Sequence, residues 1–126
     1  MNQIIHTDKA PAAIGPYSQA VKAGNLLFVS GQIPIDPATG AFAGEDIATQ
    51  TRQSLNNVQA ILEEAGYTLA DVVKATVLLA DMADFAAMNT VYAQFFTTNC
   101  PARAAFAVKE LPRGAKVEIE VIACRD

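Results

Sequence analysis

The stretch from Ile47 to Ala65 limits the fold more than any other part of the chain. Apolar or small residues fall at Ile47, Thr51, Leu55, Val58, Leu62 and Ala65, in steps of three and four that stack on one face of an α-helix. Asp46 stands where an N-cap acceptor is needed, and Gly66 where a helix ends in the left-handed conformation. A helix with one apolar stripe must lay it against another element, and the flanking segments supply strands. Val72 to Ala80 is an apolar, β-branched run of strand length, and Thr68 and Asp71, three apart, form a capping turn ahead of it.

Before the helix, SQAVKAGNLLFVSG (Ser18 to Gly31) reads as a β-hairpin, two short strands about Ala23-Gly24-Asn25. The following QIPIDPATGAFAGED is dense in Pro, Gly and Asp, and Pro34 and Pro37 forbid regular ladder bonding, which predicts an ordered loop. Asp81 or Asp84 can cap a second helix, whose Phe85, Met88, Tyr92 and Phe95 repeat at helical spacing before Pro101 forbids continuation. That aromatic stripe reads as core and not as a cofactor box. Two further strands, Arg103 to Val108 and Lys116 to Cys124, flank the turn sequence Leu111-Pro112-Arg113-Gly114.

The order is β, β, loop, α, β, α, β, β with no internal repeat. It predicts a single α+β domain over 1–126, with one mixed β-sheet and both helices packed on one face. The opposite face then lacks cover, with Val29, Phe106 or Ile122 on it according to register, and association into a closed oligomer would bury it.

The chain has 126 residues, of which 52% are hydrophobic and 17% charged, too apolar a balance for disorder. Its net charge of -4, with nine Lys and Arg scattered along the sequence, offers no cationic excess to displace counterions. That argues against nucleic acid or an anionic membrane as the main partner. No apolar run approaches the roughly 20 residues of a membrane helix, and the first residues lack the pattern of a secretory signal, so a cytoplasmic location is the default. Cys100 and Cys124 have no CxxC spacing and read as buried or incidental thiols.

Two polar intrusions sit in otherwise apolar strands. In PARAAFAV, Arg103 shares a strand face with Ala105 and Ala107, small neighbours that leave room beside a guanidinium. In KVEIEVIAC, Glu118 and Glu120 share one face and Val117, Ile119 and Val121 the other. Arg103 can be a structural ion pair or a solvated edge residue, and alternating glutamates are ordinary on an open sheet face. Alternatively, an arginine fork holds a substrate carboxylate while a nearby glutamate handles a water proton. The spacing does not decide between these readings.

Other constellations are poorly supported. His6 is the one histidine, which rules out a His-ligated metal cluster or an acid–base histidine pair within one chain and reads as a surface residue. Ser30 lacks a GxSxG context, and the glycines follow no phosphate-loop pattern.

Taken together, IGPYSQAV, VSGQIP, PARAAF and VEIEVIA resemble the Rid (YjgF) family of reactive-intermediate deaminases, in order and over essentially the whole chain. The resemblance implies a chorismate-mutase-like α+β fold and a homotrimer with ligand clefts between subunits. It implies hydrolysis of enamines and imines such as 2-aminoacrylate and 2-iminopropionate to 2-keto acids and ammonia, with no cofactor and a functional link to PLP-dependent dehydratases. Carried over by motif, Arg103 binds the substrate carboxylate, Tyr17, Ser30, Gly31, Asn89 and Ala105 line the cleft, and Glu118 positions the attacking water. Some members have cysteine where this chain has Ala105, so a thiol role there is absent. Alternative readings are a carboxylate-binding regulatory trimer without turnover and an endoribonuclease or translation inhibitor; the acidic balance and lone histidine weigh against the latter.

Overall fold

A computed structural model describes all residues, 1–126. Its strands are β1 (Gln3–Ile5), β2 (Ala20–Ala23), β3 (Leu26–Gln32), β4 (Val72–Leu79), β5 (Ala102–Ala107) and β6 (Val117–Cys124), and its helices α1 (Ile47–Glu64) and α2 (Phe85–Phe95). The strands form one sheet in the order β1-β2-β3-β6-β4-β5. Only β4 and β5 run parallel; the other neighbours are antiparallel. The expected mixed sheet is therefore present, with β1 as an added edge strand of three residues, too short for alternation to reveal it.

The helix starts and stops follow the expected chemistry. Asp46 accepts from the Thr49 amide at 3.0 Å and the Thr49 hydroxyl at 2.9 Å, an N-cap worth about 1 kcal/mol. Beyond α1, Gly66 takes φ +82°, and Thr68 and Asp71 close a capping box over the turn into β4. Asp81 caps the single turn Met82–Asp84 through the Ala83 amide at 2.9 Å, and that turn feeds α2. The second helix stops at Phe95, well before Pro101. Two threonines follow, and Asn99 already has φ 47°, so the β-branched and turn-forming residues Thr97 to Asn99 end it ahead of the proline.

The core lies between the helices and one sheet face. Leu55, Val58, Ile61 and Leu62 of α1 and Met88 and Tyr92 of α2 pack on Leu27, Val29, Ala75, Val77, Leu79, Val117, Ile119 and Val121. Val29 is thus a core residue and not an outer-face one as the register had allowed. Its neighbour Phe28 points outward instead, 44% exposed, and so does Phe106, 48% exposed. Phe28 pairs with Ile122 across β3 and β6, and Phe106 with Leu78 across β5 and β4. Burying each half-exposed ring would contribute about 2 kcal/mol, which gives the outer face a reason to associate.

The Pro-rich segment is an ordered loop held from both ends. The Asp36 amide bonds to the Ala41 carbonyl at 2.8 Å and Ala43 to Pro34 at 3.1 Å. Buried polar residues of α1 reach across to it: the Asn57 amide donates to the carbonyls of Ile33 and Ile35 at 3.3 and 2.9 Å, and Gln50 donates to Gly44 at 3.0 Å.

Candidate functional site

The expected site residues fall into two clusters on opposite faces of the sheet. On the helix face, Arg103 lies beside Ala75 in the β4–β5 register, and its Nη1 donates to Asn89 Oδ1 on α2 at 2.7 Å. Its guanidinium also stacks over the Tyr92 ring at 4.8 Å and the Phe85 ring at 5.5 Å, contacts worth about 0.5–1 kcal/mol each at an exposed site. On this side the guanidinium is flanked by Asn89, Phe85 and Tyr92 of α2, and open space remains beside it. Those partners are neutral, so they fix the fork's direction and leave its charge uncompensated. The aromatic stripe of α2 is core, as expected, and it also holds the arginine.

Asn89 and Arg103 line one cavity of about 430 Å³, together with Tyr92, Phe96, Cys100 and Pro101. Ala105 lies two residues along the strand from Arg103, partly buried against the core. The Tyr92 hydroxyl is buried without a hydrogen-bond partner. Burial pushes its ionisation upward, with the Arg103 cation partly opposing.

The second cluster is built on an irregularity in β3. Val29 pairs with Val121, but Gln32 pairs with Ile119, so Ser30 and Gly31 together oppose a single residue of β6. This bulge bends the strand where the Glu118 carboxylate crosses it. A Cβ at Gly31 would overlap that carboxylate and lie 2.9 Å from its carboxyl carbon, so only glycine permits the approach. The Gln32 side chain donates to the Ser30 carbonyl at 3.0 Å and braces the bulge. The Ser30 hydroxyl is committed to the Ser18 carbonyl at 2.6 Å, which ties the strand to the loop carrying Tyr17 and leaves no activated nucleophile.

Glu118 is half-buried on the face opposite the helices, paired with Leu78 of β4. Burial pushes its carboxyl above the usual carboxylate range, and the charge of Glu120 adds to the push. The ion pairs of the chain are His6–Asp8 and Arg125–Asp71; neither Arg103 nor Glu118 has an ionic partner.

Tyr17 and Gly31 line a cavity of about 270 Å³ with Ile14, Ile33, Ile35 and Arg113. Two of the residues that organise this cluster were not picked out by sequence reasoning. Gln19, 2% exposed, anchors the N-terminal loop: its Oε1 accepts from the Thr7 amide at 2.7 Å, and its Nε2 donates to the carbonyls of Thr7 at 3.0 Å and Pro11 at 2.8 Å. A glutamine inside IGPYSQAV gave the one available signal. Arg113 reaches the cavity from a turn distant in sequence, and no spacing announces it.

His6 is a surface residue beside Asp8, as expected. Both thiols are free, Cys100 exposed and Cys124 partly buried, which is the incidental and not the buried form of the expectation.

A family model described as endoribonuclease L-PSP matches residues 7–125. A RutC family protein of Pyrococcus horikoshii is 57% identical over 100% of both chains. A Salmonella typhimurium protein named 2-iminobutanoate/2-iminopropanoate deaminase is 52% identical, with 99% of each chain covered. Among solved structures, the E. coli YjgF gene product superposes with TM-score 0.95 at 50% identity, covering 98% of this chain and 99% of that one. E. coli TdcF with bound serine gives TM-score 0.95 at 46% identity, with 98% and 99% covered. The mixed sheet with two helices on one face is the chorismate-mutase-like α+β fold of these proteins, and the chain belongs to the Rid (YjgF) family.

Proposed function

We propose that the protein is a deaminase that hydrolyses enamines and imines of 2-amino acids to 2-keto acids and ammonia, working as a homotrimer with its sites between subunits. The observation that carries this reading is the split site. Arg103 faces the helix side of the sheet and Glu118 the other, so one protomer does not hold both against one small molecule. A neighbouring subunit brought against the apolar outer face can supply the missing half. Relatives named 2-iminobutanoate/2-iminopropanoate deaminase at 51–52% identity support the chemistry. The relative crystallised with serine supports an α-amino-acid-like ligand.

In this reading the steps run as follows. The Arg103 fork of one subunit holds the substrate's α-carboxylate by charge-assisted hydrogen bonds, each contributing about 1.5–3 kcal/mol. Asn89, Phe85 and Tyr92 fix its direction. An enamine substrate first tautomerises to the imine. Glu118 of the adjacent subunit then takes a proton as the oxygen of water bonds to the C=N carbon. The imine nitrogen, protonated when water adds, receives the water proton from Glu118; Glu118 then takes the hydroxyl proton as the C=O forms, the C–N bond breaks and ammonia leaves. Tyr17, Ser30, Gly31 and Ala105 wall the cleft. Because the substrate is reactive, orientation and proton transfer suffice.

Coupling the purified protein to a PLP-dependent serine or threonine dehydratase, with semicarbazide trapping the imine, tests the reading. Catalytic amounts should reduce trapped imine and speed keto-acid release. Unchanged imine lifetime with intact ligand binding would leave a carboxylate-binding module. Sedimentation should give a trimer; a monomer at micromolar concentration would remove the composite site.

A further inference from the structure

Arg113 stands apart from the residues used above. It sits in the turn Pro112–Gly114 with φ 58° and ψ 19°, a left-handed conformation that bulky residues seldom adopt and that glycine takes freely. The backbone alone would favour glycine there, yet the position carries the longest cationic side chain. That side chain is directed: its guanidinium stacks over Phe42 at 5.5 Å, and Nη1 and Nη2 both reach the Gly40 carbonyl at 3.4 Å. These neutral contacts leave most of its donors unused, and no carboxylate pairs with it. Arg113 therefore stands, without an ionic partner, between two cavities: Phe42, on which its guanidinium stacks, lines one together with Lys116, and the other contains Tyr17 and Gly31 behind an apolar wall of Ile14, Ile33 and Ile35.

A substrate whose α-carboxylate is held by Arg103, and whose reacting carbon faces Glu118, has one substituent left to place. We propose that this cavity receives the substrate's side chain and that Arg113 admits one ending in a carboxylate, so that imines of dicarboxylic amino acids are hydrolysed. The isoleucines accommodate the methylenes and the guanidinium binds the terminal carboxylate as a fork. This rests on the deaminase reading and names a substrate class for it.

The test compares imines formed in situ from alanine and from glutamate by amino-acid oxidases, with semicarbazide reporting the imine that survives. The readout is the ratio of kcat/KM for the glutamate-derived imine to that for the alanine-derived imine. Arg113→Gln should lower this ratio at least tenfold. Arg113→Gly should do the same while removing the left-handed strain, so misfolding does not explain its loss; melting curves check this. Arg113→Lys should fall between, because it keeps charge and loses the fork. Lys116→Gln removes a neighbouring charge that shares only one of Arg113's two cavities, the one with Phe42, and should leave the ratio within twofold. The proposal is overturned if the wild-type protein hydrolyses the alanine-derived imine but not the glutamate-derived one, or if both Arg113→Gln and Arg113→Gly keep the wild-type ratio. Failure on both imines would instead overturn the deaminase reading and this inference with it.

Discussion

Arg103 and Glu118 carry opposite charges, and their surroundings treat them in opposite ways. The arginine is exposed yet held in one direction by an amide oxygen and two aromatic rings. The glutamate is half-buried over a glycine bulge with no cation near enough to pair with it. An exposed cation keeps its hydration and costs little to orient. A carboxylate drawn out of water beside a second carboxylate holds its proton more tightly, which makes it a better base. The first environment suits recognition of a charge, and the second suits exchange of a proton.

The largest effect should come from removing the basic carboxylate. Glu118→Gln keeps the size and should lower keto-acid release by about 10²-fold or more, while a 2-keto acid still binds in calorimetry. The same change should raise the melting temperature at neutral pH. Glu118 has a folded-state pKa above its usual value. Its stabilising contribution is therefore full below the ordinary carboxylate pKa and lost as pH rises through the raised one. At neutral pH the charged group is a cost that glutamine removes. Full activity in Glu118→Gln would move the catalytic role elsewhere.

Next in size should be Arg103→Lys, which keeps the charge but loses the planar fork and its stacking on Tyr92 and Phe85. Loss of one charge-assisted hydrogen bond, about 1.5 kcal/mol at the low end, weakens keto-acid binding about tenfold or more, and turnover should fall with it. Calorimetry and the coupled assay report the two separately. A variant with unaltered affinity would take Arg103 away from the carboxylate and break the contrast between the two charges.

The contrast was only partly legible in the sequence. Helical spacing located α1 and α2, alternation placed Glu118 and Glu120 on one face, and an apolar sheet left without cover pointed to association. These follow from local periodicity, which the fold obeys. The position of β6 between β3 and β4 depends on long-range pairing that no local pattern encodes, and with it the separation of Arg103 from Glu118. Which face Val29 takes was likewise open in the sequence, since a shift of one residue exchanges the faces of a strand, and its pairing with Val121 puts it in the core. Motif resemblance suggested the residue roles, and the fold shows what stands against each residue: α2 against the arginine, a glycine against the glutamate.

The smallest effect should come from Glu120→Gln, which sharpens the comparison by separating the two causes that lift Glu118. Glu120 lies two residues further along β6, on the same face and exposed, about 6–7 Å away, too far to share the same attacking water. Its removal should leave neutral-pH turnover nearly intact. Its charge is nevertheless the second cause of the raised Glu118 pKa, after burial. Without it the Glu118 carboxylate ionises at lower pH, and the acid limb of the kcat/KM profile should move downward while remaining above the ordinary carboxylate range, because the burial persists. The sign is fixed: the active form is the carboxylate, and activity falls as pH drops through its pKa. An unmoved acid limb would mean that another group controls it, and a greater loss of turnover in Glu120→Gln than in Glu118→Gln would exchange the roles of the two glutamates.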